Sequence, residues 1–154
     1  MNKDNVKLSG NGNATVLRRM WDNLTDEGVI TITAVNGGCC VENIFVDGNK
    51  SAYSPNSNSY GIHLSGSSNN TITGNTCNNN SDGIRLSSSS NNTITGNTCI
   101  RGDGTSSDYT SSQHTIHLFG TKNNYNLISS NNIMGKNYVS GGGTGNTFVN
   151  NKYN

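Results

Sequence analysis

Three residues stand at equivalent places in strand-like tetrads and differ where their neighbours repeat: His63 in Gly61-Ile62-His63-Leu64, Arg85 in Gly83-Ile84-Arg85-Leu86 and His117 in Thr115-Ile116-His117-Leu118. A base and a cation in one column suit sugar recognition or proton transfer, provided that the three side chains share one face. Asp82 precedes the Arg85 tetrad. Asp103, Asp108, Tyr109 and His114 fall in a stretch inserted before the third tetrad, and Tyr53 and Tyr60 in one before the first. Tyrosine rings stack on sugar faces, and paired carboxyl groups act as acid and base in glycoside hydrolysis when about 6.5–9.5 Å apart. Asp82 with Asp103 or Asp108, and Arg85 beside them, are the candidate catalytic set. Tyr53, Tyr60, His63, Arg85, Tyr109, His114 and His117 are the candidate substrate-binding set. Solvated loop carboxylates and an exposed polar column are the plainer account of the same residues, so hydrolase, lyase and no catalysis at all stay open.

The elements that would position these groups are written in a repeat. Residues 61–77 read GIHLSGSSNNTITGNTC and residues 83–99 read GIRLSSSSNNTITGNTC, 22 residues on, differing only at His63/Arg85 and Gly66/Ser88. Ile116 lies 32 residues beyond Ile84, one period plus a ten-residue insertion, and Tyr138 lies 22 beyond Ile116. Asn146-Thr147-Phe148-Val149-Asn150-Asn151 returns as a looser copy of NTITGN. Upstream, Asn43 to Asn49, Val29 to Ile32 and Val6 to Gly10 read as earlier strands. Strand alternation sends Ile62, Leu64 and Ile72 inward and His63, Thr71 and Thr73 outward. One repeat cannot bury its own apolar side chains, but stacked repeats put Ile62 on Ile84, Ile72 on Ile94 and Cys77 on Cys99. Asn75 and Asn97 would then form an amide ladder.

The expected fold is all-β: a single-stranded right-handed parallel β-helix of roughly six or seven rungs, forming one domain over 1–154. Residues 1–60 would hold irregular early rungs and 61–154 the regular ones, with an inserted loop at 101–114. The two insertions leave the same corner of the coil, about two rungs or roughly 10 Å apart, and would wall a groove of sugar-ring width.

Composition agrees. Only 30% of the chain is hydrophobic and the formal charge is +1, so there is no basic field for nucleic acid. No apolar run approaches the ~18 residues needed to span a bilayer. The opening MNKDNVKLSG lacks the apolar stretch of a secretory signal. Localisation therefore stays open, with an extracellular or phage-associated parent protein included.

The three histidines raise metal binding. Imidazoles two rungs apart would be about 9–10 Å from each other, too far for one ion, so no metal site and no cofactor is expected. Calcium in the Asp/Asn-rich loops stays open. The four cysteines read as structural, with Cys77 and Cys99 as small inward hydrophobes.

The NNTITGN repeats resemble those of right-handed β-helix proteins of the pectate-lyase-like superfamily, including NosD-type and tailspike-like repeats. VKLSGNGNATVLRR resembles an early turn of that group, and ENIFVDGN the next. The resemblance implies the fold, and a polysaccharide as partner, recognised and in some members depolymerised. It names no catalytic residue here. The rival expectation is a non-catalytic structural or adhesive module, or a fragment, acting by homo-oligomeric assembly, since no capping segment precedes Val6.

Overall fold

The computed structural model describes residues 1–21, 27–49, 52, 59–101, 114–134 and 139–153. The described residues form fifteen strands. They are β1 (Lys7–Arg18), β2 (Glu27–Thr33), β3 (Cys40–Asp47), β4 (Ser59–Ser65), β5 (Thr71–Thr73), β6 (Thr76–Asn80), β7 (Asp82–Ser87) and β8 (Thr93–Thr95). There follow β9 (Thr98–Arg101), β10 (Ile116–Phe119), β11 (Leu127–Ser129), β12 (Asn132–Met134), β13 (Val139–Gly141), β14 (Thr147–Val149) and β15 (Lys152–Tyr153).

Every pairing is parallel, and each strand pairs with a strand from a neighbouring repeat. One sheet runs β2-β4-β7-β10-β13. The other is built on β3, whose first half pairs with β5 and whose second half pairs with β6. From there it extends to β8, β11 and β14 on one side and to β9, β12 and β15 on the other, while β1 also pairs with β3. This is a coil of short parallel strands.

The expected stacking is observed: Ile62 registers with Ile84, Ile72 with Ile94, and Cys77 with Cys99. These six side chains are completely buried. Ile84 also registers with Ile116 and Ile94 with Ile128, so the core is a column of like residues. Each buried Ile contributes about 1.5–3 kcal/mol from area alone, which lets a chain with so few apolar residues fold. One register differs from expectation. Ile116 pairs with Val139, one residue past Tyr138.

The polar part of the repeat makes the corners. The turn after each TIT strand needs a left-handed backbone, and φ is +65° at Gly74, +64° at Gly96, +55° at Ser130 and +54° at Asn150. A second corner is left-handed at Asn69, Asn91 and Tyr125. Gly and Asn tolerate this conformation best, which accounts for their recurrence. Just after each corner an Asn turns inward. Asn70, Asn92, Asn126 and Asn146 form one amide ladder, with Nδ2–H donating to the next Oδ1 at 3.0–3.1 Å. Asn75, Asn97, Asn131 and Asn151 form a second at 2.9–3.1 Å. The same Oδ1 atoms accept backbone N–H groups, so each Asn satisfies the corner that made it necessary. All four cysteines are free thiols.

Candidate functional site

The outer face of the β2-β4-β7-β10 sheet carries two rows of side chains, fixed by register. Thr31, His63, Arg85 and His117 are partners in one row. Thr33, Ser65, Ser87 and Phe119 are partners in the other. The column His63–Arg85–His117 thus forms as the repeat predicts. Two hollows lie along the rows and share His63 and Ser65. One, of about 370 Å³, reaches Glu27 and Thr31, and the other, of about 460 Å³, reaches Arg85, Ser87, Phe119 and Lys122. Together they make a polar groove running across the rungs.

The column is not the solvent-exposed strip that an outward strand position suggests. His63 is only 4% exposed and Arg85 7%. His63 Nε2 lies 3.1 Å from Ser87 Oγ. The Arg85 guanidinium is held between two rings, 4.5 Å from the centre of Tyr60 and 3.9 Å from that of Phe119. Such stacking orients a planar cation and limits its rotation. Tyr60 itself departs from expectation. It lies on β4, not in a protruding wall, because the strand begins at Ser59, and it is buried with its ring edge-on to His63 at 4.9 Å. The residue is 1% exposed, with one ring face against Arg85, so it offers no open face to a ligand.

Asp82, the first residue of β7, is the electrostatic centre. It is 4% exposed, inside the body and not at the lip of a groove. Arg85 Nη1 donates to its Oδ2 at 3.0 Å, and His117 Nδ1 lies 2.8 Å from the same oxygen. The His114 backbone N–H donates to Oδ1 at 2.9 Å, and His114 Nδ1 stands 3.5 Å from Oδ1, an electrostatic contact longer than a hydrogen bond. Burial alone would raise the pKa of this carboxyl. The flanking His114 and His117 side chains and the His114 backbone N–H more than offset that and hold it well below the usual carboxylate range. Asp82 is therefore a carboxylate that only accepts, so the proton between it and His117 Nδ1 is carried by His117. The 3.4 Å approach of Arg85 Nη1 to His117 Nδ1 is then two donors converging on one oxygen.

The structure thus brings together Asp82, Arg85, His114 and His117, with His63 and Tyr60 one rung away. Tyr53, Asp103, Asp108 and Tyr109 lie outside the described residues. Sequence reasoning did not single out Phe119, Ser65, Ser87 or Lys122. Phe119 was legible in principle, because it takes the place held by Ser65 and Ser87 just after the preceding tetrads. It is 52% exposed, an aromatic ring at the end of a row of hydroxyls. The grouping of His114 with His117 and Asp82, whose donor atoms all lie within 4.8 Å of one another, had no counterpart in the spacing.

No curated protein matches the chain. A family model described as the right-handed β-helix region matches residues 2–153, nearly the whole length. With its parallel strands, stacked isoleucines and asparagine ladders, this chain belongs to the right-handed β-helix family.

Proposed function

We propose that the protein recognises a polysaccharide in the groove across β2, β4, β7 and β10. The observation that carries the reading is the half-exposed Phe119 ring, set at one end of a floor that presents Ser65 and Ser87 at rung intervals beside His63 and Arg85. Hydroxyls repeating every ~4.8 Å meet successive sugars of an extended chain, and an aromatic face takes the apolar face of one ring. A groove open at the surface suits a polymer better than a small enclosed ligand.

The test is a glycan-array and polysaccharide-depolymerisation screen, run on wild type, Phe119→Ala and His63→Ala. Binding that is lost in Phe119→Ala while the far-UV spectrum is unchanged supports the groove. New reducing ends without unsaturation would make the protein a hydrolase, and unsaturated non-reducing ends a lyase. No binding by the folded wild type over a broad panel overturns the reading.

In that event the second reading takes over: a non-catalytic module acting by assembly. It is favoured by β14 and β15, the last strands of their sheet paths, where Phe148, Val149 and Tyr153 are exposed. Among the described residues no further strand pairs with these edges, and a strand edge with apolar side chains is a template for one, from this chain or another. A monomer by light scattering across a wide concentration range would remove it.

A further inference from the structure

We infer that Asp82, His114 and His117 form a site for one divalent transition-metal ion of the zinc type. The inference stands on geometry alone and does not depend on the glycan reading. Three donors from different parts of the chain converge here. Asp82 opens β7, His117 lies on β10 in the next rung, and His114 sits at the far end of the insertion between them. One ligating atom from each lies within 4.8 Å of the others, with Asp82 Oδ2 2.8 Å from His117 Nδ1 and Asp82 Oδ1 3.5 Å from His114 Nδ1. Ligands around a tetrahedral zinc at about 2.0–2.2 Å stand about 3.3–3.6 Å apart, so the Asp82–His114 pair is at that separation and the Asp82–His117 pair opens by about half an ångström to admit the ion.

A second observation points the same way. His114 Nδ1 is buried and has no hydrogen-bond partner, although it faces the carboxylate. A buried ring nitrogen left without a hydrogen bond is costly in a protein interior, and a metal ion would satisfy it. The second carboxylate oxygen and the His114 backbone N–H already fix the orientation of Asp82, as the outer hydrogen bonds of a metal ligand do.

The donor set selects the ion. Two imidazole nitrogens and one carboxylate suit zinc and its neighbours, whereas calcium takes six to eight oxygens and finds no such shell among the described residues. Three protein ligands leave a position for water or for a group on a bound molecule, the pattern of an open zinc site. Arg85 sets the affinity. Its guanidinium is 3.0 Å from Asp82 Oδ2, so it competes with a cation for the same carboxylate. Binding the ion also requires His117 Nδ1 to give up its proton to solvent.

The experiment titrates Zn2+ and Co2+ into the metal-free protein, with no glycan present, by calorimetry and thermal shift. One ion per chain is expected, with a rise in Tm. Co2+ should give the visible bands of nitrogen and oxygen ligation without thiolate charge transfer. His114→Ala and His117→Ala should each lose the rise, while His63→Ala, which removes the one histidine outside the cluster, should keep it. Arg85→Gln should bind about tenfold more tightly or better, because a competing charge is removed. All variants are compared by far-UV circular dichroism first, and the Co2+ spectrum of the wild type reports the ligands even where a variant is unstable. No binding by the wild type overturns the inference. So does binding retained by His114→Ala, thiolate bands in the Co2+ spectrum, or an Arg85→Gln affinity no higher than wild type. Glycan binding is measured separately, so the two readings fail independently.

Discussion

Truncating one inner asparagine, Asn97→Ala, should cost more than its small size suggests. Asn97 Oδ1 accepts from the Asn75 backbone N–H at 3.0 Å and from Asn75 Nδ2 at 3.1 Å. Its own Nδ2 lies 2.9 Å from Ile72 O, 3.1 Å from Thr95 O and 3.1 Å from Asn131 Oδ1. Alanine removes all of these. Asn75 Nδ2 keeps Val41 O, and Asn131 Oδ1 keeps the Asn97 backbone N–H. The buried Asn75 N–H is left with no side-chain acceptor. That stranded donor costs about 1–3 kcal/mol, and each of the other lost bonds about 0.5–1.5 kcal/mol. With water refilling part of the gap, the expected loss is about 3–5 kcal/mol, a large share of the 5–15 kcal/mol typical of a folded domain. Urea unfolding followed by far-UV circular dichroism measures it, with an unchanged slope showing that the unfolding reaction is the same. Thr93→Ala, on the half-buried outer face of the same repeat, should change stability by about 0.5 kcal/mol or less. If Asn97→Ala falls within 1 kcal/mol of wild type, estimated as the cost of only one ordinary hydrogen bond, the ladder is not what holds the corners and the reasoning fails.

Three further outcomes are expected. Gly83→Ala would put a Cβ 2.5 Å from the Thr115 carbonyl oxygen of the next rung and should cost about 2–3 kcal/mol, whereas Gly37→Ala, with its nearest atom at 3.9 Å, should be tolerated; equal melting temperatures for the two would refute the stacking distance. Replacing Asp82 by Ala should cost about 3–5 kcal/mol, because it strands the buried Arg85 cation, and the Asp82→Ala/Arg85→Ala double variant should cost less than the sum of the singles, read from a double-mutant cycle. Cys99 is a thiol held well above its ordinary acidity range by its hydrogen bond to Cys77 and by burial, and Cys40 is raised by burial and by Glu42. A raised value keeps Cys99 and Cys40 protonated at neutral pH, so alkylation of the buried Cys99 should wait for unfolding while Cys40 labelling quickens only at alkaline pH; mass spectrometry that found Cys99 labelled in the folded protein at pH 8 would contradict this.

The fold and the column were both legible in the repeat. A 22-residue period with inward Ile and Leu leaves few ways to bury apolar side chains except by stacking equivalent residues, and period-two alternation then places His63, Arg85 and His117 side by side. The asparagine ladders followed from the same register. What the tertiary structure decided is everything that lies between rungs and insertions. His114 precedes its strand by an interval that no repeat constrains, so only the path of the chain could show it beside Asp82. Outwardness did not imply exposure either. Arg85 points away from the core, yet Tyr60 and Phe119 cover its two faces and Asp82 takes its charge. Periodicity fixes direction along a strand, whereas burial and charge pairing depend on side chains that arrive from neighbouring rungs, and those meet only when the coil is closed.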